Sequence, residues 1–248
     1  MDRREFIYLV TLFSSLNYGC RSGTPKPDDI SQIIKRQRGI RRDKLMRFFG
    51  LKPPETSVEL RDLAEYNPGI EPYLSSIDIA IRENSLEGKI DPLLLLAIAR
   101  VESSFNVYAI SPVGAGGPFQ IMPSTATNYG LKVYGLDIYN ASLVVREKNN
   151  NEYKRMLNEY LSRLRNAVSR KNQEQLRNID QRFVISLASD AAARILSDNL
   201  EETPTIDRAI AAYYSGSETS NRRWLPNDVR RYVGDVKRNY ANFRNQLK

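Results

Sequence analysis

The chain has 248 residues, 41% hydrophobic and 27% charged, enough to bury a sizeable core in one main domain with appendages. Lysine and arginine number 37 against 29 aspartates and glutamates, a net +8 that favours anionic surroundings without naming one. Histidine is absent and Cys20 is the one cysteine, which excludes His/Cys zinc sites, Cys-His nucleophiles, Ser-His-Asp triads and internal disulfides and leaves acid and base work to Asp, Glu, Lys or Tyr.

Residues 1–20 read as an export signal. Arg3 and Arg4 precede an apolar stretch running to about Tyr18, too short to span a bilayer and shaped like a secretory signal. Arg3-Arg-Glu-Phe-Ile7 resembles a twin-arginine start, and Cys20, followed by the polar Arg21 to Asp29, stands where a bacterial lipoprotein signal carries its lipidated cysteine. The match departs at Leu16, one position too far from Cys20, and at Tyr18, bulkier than such cleavage sites hold. The alternative is an N-terminal core helix with an incidental cysteine. Residues 21–70 then read as a basic linker with short amphipathic helices, packed on the domain edge or near a membrane.

A helical region is expected from Glu71-Pro72, with Leu74, Ile77, Ile81 and Leu86 at helical spacing and a loop at Gly88. Asp91-Pro92 is a helix-start pair, and Leu93 to Ser104 forms the helix it opens. Short extended pieces are expected around Val107 to Val113, then a helix from about Ser124 that stops before Gly130. About 144–178 is a charged helical insertion with Leu157, Leu161, Leu164 and Val168 on one stripe, either a partner-binding arm or a helix packed on the domain with a solvated outer face. Phe183 to Leu200 and Thr205 to Tyr214 read as core helices. The fold class is therefore mainly α. No repeat, phosphate loop, dinucleotide fingerprint or nucleic-acid recognition signature is present, so no nucleic-acid partner is expected.

One carboxylate stands out. At 100° per residue Glu102 projects beside Leu95 and Ile98, next to the apolar face of its helix, and close to the negative end of the helix dipole. Burial and that dipole both raise a carboxyl pKa, leaving a proton available near neutrality for a general acid. A boundary glutamate paired with Arg or Lys is the plainer alternative.

Glu102-Ser-Ser-Phe-Asn106, Ser111-Pro-Val-Gly-Ala-Gly-Gly-Pro-Phe-Gln-Ile-Met-Pro123 and Ala211-Ala-Tyr-Tyr-Ser-Gly216 resemble, in order and spacing, the soluble-lytic-transglycosylase-like domain, over roughly Glu71 to Tyr240. The resemblance implies a lysozyme-like α-helical domain over 71–248 with a catalytic cleft. Glu102 would be the catalytic acid and base, Ser103 a neighbour orienting the glutamate or the substrate, Gln120 and Met122 cleft residues, and Tyr213 a close neighbour of the glutamate. Pro226-Asn-Asp-Val-Arg-Arg-Tyr-Val233 resembles the family's closing segment, which adds Tyr232. Tyr214 replaces the usual asparagine, Pro118-Phe119 the usual Leu-Met and Gly116 a frequent arginine; Tyr214 is retained as a substrate-side residue.

The implied reaction cleaves the β-1,4 bond between N-acetylmuramic acid and N-acetylglucosamine in peptidoglycan and leaves a 1,6-anhydromuramyl end, with no cofactor and no metal. Tyr108, Phe119 and Tyr129 are further aromatic candidates for the cleft or the core, and Gly114, Gly116 and Gly117 would serve close substrate approach, a turn, or both. The expected partners are glycan strands, a membrane through lipidated Cys20, and an envelope-assembly partner through the charged insertion, all in an exported, periplasmic setting. A hydrolytic muramidase is the rival enzyme. A non-catalytic wall-binding or assembly module is the rival from another class, and Tyr214 is its argument.

Overall fold

A long apolar run opened by Asp91 and Pro92 forms the helix on which the rest is assembled. The computed structural model describes residues 62–247 apart from 66, 68, 147 and 148. The described residues lie within the unit Leu45–Lys248. The export signal, Cys20 and nearly all of the expected linker lie outside them.

The elements are α1 (Glu71–Glu83), α2 (Pro92–Ser103), α3 (Pro123–Asn128), α4 (Leu136–Arg146), α5 (Asn150–Val168), α6 (Gln173–Ile179), a 3-10 turn (Gln181–Phe183), α7 (Ile185–Glu202), α8 (Ile206–Ser215), α9 (Ser217–Ser220) and α10 (Asn227–Gln246). The mainly α expectation holds. Extended backbone is confined, among the described residues, to isolated bridges such as Ile110 with Gly116 and Gly116 with Ile121, in and beside the stretch where short extended pieces were expected. No helix among the described residues is long and apolar enough to cross a membrane.

Asp91 accepts from the Leu93 amide at 2.9 Å and so caps α2, while Pro92 supplies a first-turn residue with no amide to satisfy. Seven consecutive residues, Leu93 to Ala99, are buried, because α10 covers one side of α2 while α1 and α7 pack on others. A helix apolar on every side is stable only in such a position. Tyr240 of α10 donates to the other Asp91 oxygen at 2.7 Å, so one carboxylate starts α2 and fastens α10 to it.

α1 stops at Glu83, earlier than the spacing of Leu86 implied. Ser85 takes a left-handed φ of 54°, and the Leu86 amide reaches back to the Ile81 carbonyl at 2.8 Å. Leu86 is thus the buried apolar contact of a helix C-cap rather than another turn of helix.

The charged region expected as one long helix is three. Asn149 caps α5 by accepting from the Asn151 and Glu152 amides, and Asn172 forms a capping box with Gln175 at α6. Leu157, Leu161, Leu164 and Val168 are buried in a second core with Tyr139, Tyr160, Leu176 and Phe183. The outer face of α5 carries exposed ion pairs, Arg155 with Glu152 and Arg163 with Glu159, as a helix packed on the domain should. Val107 and Leu187 touch both cores.

Candidate active site

Glu102 sits in the last turn of α2, and the chain leaves that helix abruptly. Ser104 and Phe105 follow each other with φ of 53° and 65°, a conformation costly for residues with a Cβ and therefore one the surroundings must enforce. Tyr73 does so, donating to the Phe105 carbonyl at 2.9 Å while its ring packs on Phe105 with centroids 5.1 Å apart. The turn aims the following chain back across the end of α2.

There a glycine-rich loop meets the helix. Ser103 Oγ donates to the Pro118 carbonyl at 2.9 Å, and Tyr213 of α8 donates to the next carbonyl, Phe119, at 3.1 Å. Two neighbours of Glu102 therefore hold two successive peptide units of the loop. Gln120, at φ 46°, turns its amide inward, donating to the Ala109 and Gly117 carbonyls at 3.1 and 2.8 Å.

Glu102 itself is partly buried. Its Oε1 accepts from the Tyr232 hydroxyl at 2.5 Å, and among the described residues no Lys or Arg forms an ion pair with it. The plainer expectation of a paired boundary glutamate is thus replaced by a neutral partner. Burial raises the carboxyl to about 7, and the Tyr232 hydrogen bond opposes that rise by favouring the charged form. Burial and then the Glu102 charge push the phenols of Tyr232 and Tyr213 well above their usual range, so both remain hydrogen-bond donors. Tyr214, half exposed, stacks on Tyr232 with centroids 4.5 Å apart and ring planes at 20°. The tyrosine in place of asparagine thus braces the ring that holds Glu102, and Glu102 keeps its hydrogen bond.

Glu102, Ser103, Tyr213, Tyr214 and Tyr232 form one connected group, with Gln120 joined through the loop. Met122 sits apart, at the start of α3 and packed against the second core. Phe119 is fully buried, Tyr129 donates to Asp198 at 2.6 Å, and Tyr108 donates to the Lys171 carbonyl at 2.6 Å. Among the described residues no group of three Asp, Glu or Cys side chains could hold a metal ion.

Sequence reasoning missed the fully buried pair Asp180 and Arg182. Arg182 holds Asp180 through two nitrogens, at 3.0 and 2.7 Å, and spends the rest of its guanidinium on the Gly114 carbonyl at 2.8 Å, the Ile121 carbonyl at 3.3 Å and the Tyr160 hydroxyl at 3.1 Å. It clamps both ends of the glycine-rich loop. The glycine faces are consequently occupied by protein. A Cβ on Gly114 would lie 2.9 Å from Tyr139, one on Gly116 would lie 2.9 Å from Phe183 and 3.2 Å from the Arg182 guanidinium carbon, and one on Gly117 would collide with the Arg182 carbonyl. Close packing accounts for these three glycines, joined at Gly114 and Gly117 by a left-handed φ. An acid and an arginine two residues apart look like solvated loop in a sequence, so the only available signal was a glycine run in need of something to pack on it.

A family model described as the transglycosylase SLT domain matches residues 79–168. Over those residues, about a third of the chain, it is similar to the SLT domain. The matched residues of the SLT domain include Glu102, Ser103, Gln120 and Met122 and run through α5, while Tyr213, Tyr214 and Tyr232 lie beyond them. The membrane-bound lytic murein transglycosylase D of Escherichia coli strain K12 is 39% identical over 62 residues, which is 25% of this chain and 13% of that protein. The protein of the same name from Escherichia coli O6:H1 matches with the same figures. The aligned part thus spans about an eighth of the length of these curated relatives. No solved structure matches.

Proposed function

We propose that this chain is a peptidoglycan lytic transglycosylase of the SLT family in which Glu102 acts alone as acid and then base. The observation that carries this reading is a carboxyl raised to about 7 by burial and held by a phenol instead of a cation. Glycosidases that use water need a second carboxylate at a set separation to activate it or to attack. Among the described residues the hydrogen-bond partner of Glu102 is a phenol, and its neighbours Ser103 and Tyr213 bond to peptide carbonyls.

The protonated Glu102 gives its proton to the oxygen linking N-acetylmuramic acid to N-acetylglucosamine, and the β-1,4 bond breaks. The resulting carboxylate takes the proton of the muramyl C6 hydroxyl as that oxygen bonds to the anomeric carbon. Glu102 ends protonated, ready for another turn, and the product carries a 1,6-anhydro bridge. Tyr232 steadies the carboxylate between the two transfers, and Tyr214 braces Tyr232. Ser103, Gln120 and Tyr213 shape the loop beside the acid, and Met122 stands apart at the start of α3.

The residue pattern of 1–20 and the name of the murein relatives support an exported, envelope-located enzyme, attached to a membrane through Cys20. Mass analysis of fragments released from purified sacculi tests the reaction. Anhydro products, one water lighter than hydrolytic ones, are expected, and their loss in Glu102→Gln. Hydrolytic ends would make the chain a muramidase, and binding without release a wall-binding module.

A further inference from the structure

The loop between α9 and α10 carries the single tryptophan of the chain, Trp224, with 78% of its surface exposed. So large an apolar ring left in water adds little to the core and offers a flat apolar face to a ligand. The backbone beneath it is fixed. Arg208 of α8 donates to the carbonyls of Ser220, Arg222 and Arg223, the last two at 2.6 and 3.3 Å, and Leu225 packs against the main core. A ring on a pinned loop meets a ligand without an ordering cost.

The ring also has a charged border. The Arg223 guanidinium carbon lies 5.9 Å from the indole centroid; Arg222, paired with Glu218 at 3.7 Å, and Arg230 are exposed nearby in the sequence. The platform is tied to the candidate active site from two directions. α8 carries Tyr213 and Tyr214 five and six residues beyond Arg208, about 8–9 Å along the helix. Pro226 leads straight into α10, on which Tyr232 follows about 9 Å farther on.

We propose that Trp224 and Arg223 form an outer glycan subsite, in which the indole stacks on the apolar face of a sugar ring while the guanidinium pairs with stem-peptide carboxylates. The inference rests on the reading of the ligand as peptidoglycan. It adds a specific anchor remote from the acid, where aromatic stacking supplies affinity and the charge pair supplies preference for strands that retain their peptides.

The single tryptophan makes the test direct. Full-length Glu102→Gln protein is titrated with soluble glycan fragments carrying intact stem peptides while tryptophan emission is followed, and binding to sacculi is measured in parallel by sedimentation. A saturable emission change is expected, and Arg223→Ala should raise the half-saturating concentration several-fold. In sedimentation Trp224→Ala should weaken binding about tenfold, with Trp224→Phe recovering most of it. Circular dichroism spectra matching the parent confirm that these surface variants fold. Unchanged emission at fragment concentrations that displace the protein from sacculi would overturn the proposal, as would parental binding by Trp224→Ala, or no glycan binding at all. If emission responds but wild type releases no anhydro product, the reaction fails and the subsite stands; if wild type cleaves while emission stays silent, the subsite fails and the reaction stands.

Discussion

The Tyr232 hydroxyl donates to Glu102 Oε1 at 2.5 Å, joining α10 to the last turn of α2 across 130 positions of sequence. The bond links a group that favours the carboxylate to a site whose burial favours the acid, and the balance leaves Glu102 near 7. Most of the chemistry expected of the protein follows from that opposition.

If the neutral acid begins the reaction, kcat/KM should hold on the acid side and fall above about pH 7, losing about tenfold per pH unit as the protonated fraction declines. A pH series of anhydro-product release measures this. A rate that stays level well above pH 7 would mean that some other group supplies the proton.

Tyr232→Phe removes the interaction that lowers the Glu102 pKa, so the descending limb should move to higher pH. Loss of the hydrogen bond that steadies the carboxylate should also reduce turnover by about tenfold. The same pH series on the variant separates the two effects, because a merely structural loss would lower the curve without displacing it.

Stability should carry the same signature with a definite sign. The folded Glu102 value, about 7, lies above the ordinary 4.5, so its contribution is fully present below about 4.5 and is lost as pH rises through about 7. Glu102→Gln should therefore match wild type near pH 4 and exceed it near pH 8 by about 1–3 kcal/mol, measured by denaturant unfolding at both pH values. Equal stability at both would show that the carboxyl is solvated.

The loop clamp predicts large losses from small changes. Gly117→Ala would combine a collision with the Arg182 carbonyl and a φ of 77°, and Arg182→Leu would leave Asp180 buried without its cation. Each should cost about 3–5 kcal/mol in unfolding measurements, whereas Gly130→Ala, which shares a left-handed φ of 81° but has nothing within 4 Å of a Cβ, should cost only the backbone strain, about 1–2 kcal/mol.

Local signals made part of this structure readable in the sequence. Asp91-Pro92 before an apolar run marks α2, and the angular position of Glu102 beside Leu95 and Ile98 anticipates its burial, because both depend on residues a few positions apart. Leu86 misled, since the apolar contact of a helix cap falls on the same spacing as another helical turn. The stripe through Leu157, Leu161, Leu164 and Val168 was legible and falls within α5, but the breaks on either side of that helix turned on Asn149 and Asn172, whose capping roles appear only once the chain has a direction to turn. Tyr232 on Glu102, Tyr214 on Tyr232 and Arg182 on the glycine loop are contacts between distant segments, and no local pattern encodes which segments meet.

The most direct measurement is a carbon-13 NMR titration of the glutamate side-chain carboxyls in wild type and Glu102→Gln, which identifies the Glu102 resonance by difference. A midpoint near 7 is expected for that resonance, moving upward in Tyr232→Phe. A midpoint at the ordinary glutamate value of 4.5 would leave Glu102 without a proton to give at neutral pH and would contradict its assignment as the acid.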